Sequence, residues 1–164
     1  MRGPVAEASG FAWVSLETSL ATHSDEAVAA VGNDVAGAVL RWLVRLPKFR
    51  SIGLLGASQG ACIALQLLRA APLRFDYAIN LSGYSLPGTE EGDAVLRRTK
   101  PPVFWGRGRY DATISSDYVE RTKGWLREHS TLTAKVYELG HTESDAELAD
   151  VAAFIGVTVG AQGN

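Results

Sequence analysis

Apolar residues fall into short runs of strand length, separated by stretches in which they recur every three or four residues. From Asp25 to Leu46 the positions Val28, Val31, Val35, Val39, Trp42, Leu43 and Leu46 keep that spacing, which is one face of an amphipathic helix. Thr22 or Ser24 is placed to cap its start, and Pro47 closes it. Gly32 and Gly37 each lower helix propensity by about 1 kcal/mol relative to Ala, so packing has to hold the element. Residues 51–55 read as a strand and 59–70, with Leu65, Leu67 and Leu68, as a helix. Residues 75–81 and 101–106 are two further apolar runs, ending at Ser82-Gly83 and at Gly106. Between them, 87–99 is polar and reads as an excursion over the surface. A helix over about 115–128 turns Tyr118, Trp125 and Leu126 inward and Arg121, Lys123 and Arg127 outward. Residues 131–139 are β-branched and alternating, a fourth strand. The last helix opens on Ser144-Asp145-Ala146-Glu147, a capping box, and buries Leu148, Val151, Ala152 and Ile155. Residues 1–10 and 158–164 lack periodicity and are expected to be irregular. Phe11-Ala12-Trp13-Val14 is a short apolar segment, read as a strand or as a wall beside a site.

Strands and helices thus alternate four times, which implies crossover connections and a parallel sheet covered on both faces, an α/β architecture. No repeat and no Pro/Gly/Ser linker divides the chain, so residues 1–164 are expected to form a single domain. In such sheets ligands bind at the carboxyl ends of the strands.

Composition narrows the partners. At 164 residues, 46% hydrophobic and 21% charged, the chain has the make-up of a soluble globular domain. A net charge of −2, without a basic cluster, argues against nucleic acid. The single cysteine, Cys62, rules out an intramolecular disulfide and a Cys-pair metal site, and its place between Ala61 and Ile63 suits core packing. No apolar block of signal-peptide or membrane-span length is present, so the expected location is cytoplasmic.

The candidate chemistry lies in Gly56-Ala57-Ser58-Gln59-Gly60, where an apolar strand turns sharply into a helix. A serine held at such a turn has crowded surroundings, and glycines two residues to either side let strand and helix approach. The pentapeptide alone is weak, since Gly-x-Ser-x-Gly also serves as an ordinary turn, a loop Asp as a cap and a lone His as a structural ring. Placement decides. Ser58 follows the first firm strand, Asp111 lies in the turn after the third, and His141 follows the fourth, so all three share one sheet edge. The order Ser, Asp, His is that of α/β hydrolases. His141 is the natural base for the Ser58 proton, Asp111 would fix its tautomer, and the Gln59 N–H points where oxyanion charge develops. His23 and His129 sit at helix ends and Asp117 and Asp145 in first helical turns, where capping and dipole terms explain them. Trp13, Tyr84, Trp105 and Tyr110 are candidate walls of a substrate pocket, with core packing as the alternative for each. Arg107 and Arg109 suit ordinary pairing better than anion binding.

These residues resemble the phospholipase/carboxylesterase family of α/β hydrolases, which includes bacterial carboxylesterases and acyl-protein thioesterases. The resemblance rests on Arg2-Gly3-Pro4, Gly56-Ala57-Ser58-Gln59-Gly60, Leu81-Ser82-Gly83-Tyr84, Gly106-Arg107-Gly108-Arg109-Tyr110-Asp111 and Leu139-Gly140-His141, spread over nearly the whole chain. It implies hydrolysis of small carboxylic esters, or of thioesters, through an acyl-enzyme without metal or cofactor, often by a dimer. It also implies that Ser58, Asp111 and His141 are the triad and that Ile114 lines the acyl pocket. In the family, strands precede the Arg-Gly-Pro element, and a loop after one of them gives a second oxyanion donor. Here Met1 stands directly before Arg2, so the chain looks like a three-layer α/β-hydrolase domain shortened at its N-terminus. Two expectations follow: residues 51–55 become an apolar sheet edge that another copy covers, and, as an alternative to catalysis, the chain is a binding module whose oxyanion hole is incomplete.

Overall fold

The computed structural model describes residues 3, 5–7, 10–14 and 24–161. Strands β1 (Val5–Glu7) and β2 (Gly10–Ala12) pair as an antiparallel ribbon. Then come α1 (Asp25–Leu43), β3 (Gly53–Ala57), α2 (Gln59–Ala70), β4 (Tyr77–Leu81), α3 (Glu91–Thr99), β5 (Pro102–Gly108), α4 (Ser116–His129), β6 (Thr131–Tyr137) and α5 (Asp145–Ala161). The sheet has the order β3-β4-β5-β6 with every pairing parallel, as the alternation of elements predicts. One face carries the larger core, where Ala36 and Val39 of α1, Leu65 and Leu68 of α2, Leu96 of α3 and Leu126 of α4 join Ala78, Val103 and Trp105 of the sheet. On the other face α5 contributes Val151, Phe154 and Ile155 to a smaller cluster with Ile79, Leu81 and Phe104.

Local chemistry sets the strand ends. The Asp76 carboxylate takes the Ile52 N–H at 2.7 Å and the Ser51 hydroxyl at 2.8 Å, so the ladder opens at Gly53 rather than at residue 51. At the far end the Leu139 N–H bonds the Tyr137 carbonyl across a three-residue turn, which stops β6 at Tyr137. Ser24 accepts the Ala27 N–H and caps α1, while Thr22 lies outside the described residues.

Several expectations are corrected. Residues 5–7 and 10–12 pair as strands, and α5 runs to Ala161 with the Thr158 hydroxyl bonded to the Phe154 carbonyl, so residues 5–7, 10 and 158–161 are regular rather than irregular. Residues 91–99 form a helix, not a surface excursion. Its buried face is Asp93 and Leu96, and the carboxylate is matched by Arg69 through Nε–Oδ1 at 2.9 Å and Nη2–Oδ2 at 2.8 Å. Arg69 also donates to the carbonyls of Leu86 and Gly88, and the Trp125 indole N–H reaches Asp93 Oδ1, so this buried network ties the β4–α3 connection down. Helix α1 turns Gly32, Ala36 and Val39 inward, with Leu86 seated on bare Gly32, and leaves Trp42 exposed. His129 ends α4 as expected and is buried there: its ring stacks on Trp125 at 4.8 Å, Nδ1–H donates to the Trp125 carbonyl, and Nε2 accepts from Arg97. The capping box of α5 is half formed. Ser144 Oγ accepts the Glu147 N–H, but the Glu147 carboxyl turns inward over Gly106, 1% exposed, and its Oε1 has no hydrogen-bond partner.

Among the described residues β3 is an open edge, with Leu55 59% exposed. No helix among them is long and apolar enough to cross a membrane.

Candidate active site

Ser58 sits between β3 and α2 with φ 51° and ψ −120°, a conformation that costs a non-glycine residue about 1–3 kcal/mol. Both of its peptide groups are committed. Its N–H bonds the Leu81 carbonyl at 2.8 Å, and its carbonyl accepts from Ala61 and Cys62 at the start of α2. Strand and helix pass so closely that a Cβ on Gly56 would lie 2.1 Å from the Gly60 carbonyl oxygen. The crowding is one-sided, because a Cβ on Gly60 would meet only the Trp13 indole at ordinary distance. The turn therefore points Ser58 Oγ off the carboxyl edge of the sheet.

The turns after β5 and β6 are joined by main-chain bonds from Arg109 N–H to the Tyr137 carbonyl and from Tyr110 N–H to the Leu139 carbonyl, each 2.8 Å. Glu138 reinforces them by accepting from Arg109 Nε at 2.6 Å and Tyr110 Oη at 2.7 Å. This junction brings His141 to Asp111, with Nδ1 2.8 Å from Oδ2, and its other nitrogen, Nε2, lies 2.9 Å from Ser58 Oγ. A carboxylate can only accept, so Nδ1 carries the proton and Nε2 offers its lone pair to the serine hydroxyl. The second Asp111 oxygen, Oδ1, accepts the N–H groups of Thr113 and Ile114 at 2.9 and 3.2 Å. Burial by itself pushes the Asp111 carboxyl up, but the His141 bond and these two N–H groups together outweigh it, and its pKa lies below the ordinary aspartate value. The carboxylate is thus held ionised beside the imidazole. The structure brings together the three residues that the sequence placed at one edge.

Gln59 stands at the first position of α2, with the helix dipole behind its N–H. Its side chain has a task that the sequence did not disclose: Oε1 accepts the N–H groups of Trp13 and Val14, and Nε2 donates to the Val14 carbonyl, pinning that segment over the elbow. Of the candidate wall residues, Trp105 and Ile114 line a small hollow together with Asp111, Ser82, Gly83, Arg107, Gly108 and Val119; its empty volume, open mouth included, is about 260 Å³. Trp13 instead lies against Gly60 and the larger core. Tyr84 packs on Tyr118 at 4.6 Å and does not line the hollow, and Tyr110 is exposed against Glu138. Cys62 is buried, and burial, opposed by the Arg69 charge, raises its pKa to about 12, so the thiol is inert packing. Among the described residues no group of three His, Cys, Asp or Glu side chains is placed to hold a metal ion.

A sequence model described as Phospholipase/Carboxylesterase matches residues 4–159. Solved structures with the same fold include Zea mays acyl-protein thioesterase 2 (20% identity, TM-score 0.66, covering 79% of this chain and 65% of that one). The Bacillus cereus carboxylesterase is similar over 96% of this chain and 73% of its own (18% identity, TM-score 0.68). So is esterase PE8, over 96% and 76% (22% identity, TM-score 0.71). At these identities the likeness is one of fold, and the chain spans just under two thirds of the plant thioesterase. No curated protein sequence matches the chain.

Proposed function

As the chain belongs to the phospholipase/carboxylesterase family, we propose that it is a serine carboxylesterase acting on small carboxylic esters, with thioesters as the related class. The observation that carries this reading is the 2.9 Å contact of His141 Nε2 with a serine held at φ 51° on a strand-to-helix turn. Ser58 Oγ attacks the ester carbonyl carbon while its proton passes to His141 Nε2. The Gln59 N–H stabilises the oxyanion. The tetrahedral intermediate collapses, the ester C–O bond breaks, and His141 returns the proton to the leaving alcohol. Water then attacks the acyl-serine with His141 as base, releasing the acid and restoring Ser58. Asp111 holds the imidazole in the tautomer that accepts and stabilises its cation.

The hollow with Trp105 and Ile114 in its walls offers an apolar lining for the acyl group. Turnover of 4-nitrophenyl acetate that disappears in Ser58→Ala and His141→Ala is the expected result. A folded wild type that shows no turnover and no covalent reaction at Ser58 assigns a non-catalytic binding module instead.

We propose further that a second copy of the chain covers the open β3 edge. Gly53–Ala57 holds no charge and no proline to discourage pairing, and Leu55 faces out. Light scattering on the eluting protein should give a dimer at micromolar concentration that Leu55→Lys weakens; a monomer would contradict the assignment.

A further inference from the structure

Two arginines flank Gly108 in the sequence, and the structure gives them opposite situations. Arg109 is exposed and already paired with Glu138 at 2.6 Å. Arg107 is half-buried in the wall of the hollow, which Asp111, Trp105, Ile114 and Val119 also line. Its guanidinium carbon lies 5.8 Å from the Trp105 ring centre. Among the described residues its guanidinium makes one hydrogen bond, a long 3.4 Å contact from Nη1 to the neighbouring Gly108 carbonyl. No carboxylate among the described residues lies within ion-pair distance of it, whereas the other partly or fully buried arginines, Arg69 and Arg121, have Asp93 and Asp25.

A guanidinium against apolar walls retains a strong demand for an acceptor, and its planar fork suits a carboxylate. The hollow adjoins the elbow at Gly83, where a Cβ would fall 2.9 Å from the Ser58 carbonyl. The acyl group is the part of an ester that stays on Ser58 while the alcohol departs, so the walled space suits it. We propose that Arg107 is a specificity-determining residue that selects esters whose short acyl chain ends in a carboxylate, the half-esters of small dicarboxylic acids. This inference rests on the serine-esterase reading and narrows its substrate class. The net charge of −2 gives no general attraction for anions, so any preference has to be local to the hollow.

The test compares monoethyl glutarate with ethyl pentanoate, which has the same five-carbon acyl chain and no terminal carboxylate, by titration of released acid at constant pH. The wild type should favour the half-ester in kcat/KM by about tenfold or more. That ratio should collapse in Arg107→Gln, return in part in Arg107→Lys, and hold within about twofold in Arg109→Gln. A wild-type ratio of one or less overturns the proposal without any variant, as does a preference that survives Arg107→Gln or that Arg109→Gln removes equally. Hydrolysis of neither ester, together with no covalent labelling of Ser58, is a separate result: it overturns the esterase reading and this inference with it.

Discussion

Replacing Asp111 with Asn separates its orienting role from its role in the turn. Oδ1 serves two backbone donors, Thr113 N–H at 2.9 Å and Ile114 N–H at 3.2 Å, while Oδ2 serves His141 alone. An amide keeps only one acceptor oxygen. Two main-chain donors outweigh one ring N–H that can change tautomer, so the oxygen stays with the turn and the NH₂ faces His141. Nδ1 must then accept, the ring proton moves to Nε2, and Ser58 Oγ meets an N–H where it needs a lone pair. The expected loss in kcat is about 10⁴, or roughly 5 kcal/mol of transition-state stabilisation. The turn's own bonds survive, so stability should change by only about 1 kcal/mol. Steady-state hydrolysis of 4-nitrophenyl acetate near neutral pH, beside thermal unfolding followed by circular dichroism, measures both quantities. A folded variant within tenfold of the wild type in kcat would refute the reasoning, because His141 would then be oriented by something other than Asp111.

Two further predictions concern buried carboxyls with opposite signs. Asp93→Ala leaves the Arg69 guanidinium, whose side chain is fully buried, without its carboxylate, and should cost about 3–5 kcal/mol, lowering Tm by roughly 6–20 °C. Burial opposes ionisation of Asp93, but bonds from Arg69 and the Glu90 backbone win and depress its pKa. Its stabilisation is therefore full at neutral pH and fades as pH falls below the ordinary aspartate value of 3.8; the variant should lack this acid-limb loss in urea titrations. For Glu147, burial first and the Glu143 charge second raise the pKa above the ordinary 4.5. Stability is then full below that value and is lost as pH rises through the folded one. Glu147→Gln should unfold at higher urea than the wild type at pH 7, by roughly 1 kcal/mol, and show a flatter profile as pH rises above the ordinary glutamate value of 4.5; identical profiles would contradict the assignment.

The site was legible in the sequence because its parts hang on strand ends. Once 51–55, 101–106 and 131–139 were read as parallel strands, Ser58, Asp111 and His141 had to share an edge, and errors of two residues in the strand limits did not disturb that. Helix α3 stayed hidden because its inward face includes an aspartate, which becomes a core residue only beside Arg69, 24 positions away. The same holds for His129, whose environment is made by Trp125 and Arg97. Helix α1 carried two competing apolar stripes, and the choice of the one through Gly32 and Ala36 depends on Leu86 needing a bare backbone to rest on. The Gln59 side chain was missed for a related reason: its partners are main-chain groups 45 and 46 residues earlier, and main-chain groups leave no mark in a sequence. Arg107 and Arg109 look alike in the chain and are told apart by Glu138, which pairs Arg109, and by the hollow whose wall half-buries Arg107.

The central claim, that Ser58 is a nucleophile activated by His141, is tested most directly by intact-protein mass spectrometry after exposure to a fluorophosphonate at neutral pH. The account predicts one adduct per chain, mapped to Ser58, absent in Ser58→Ala and slowed about a thousandfold or more in His141→Ala. A folded wild type that stays unmodified, or an adduct on any other residue, would contradict it.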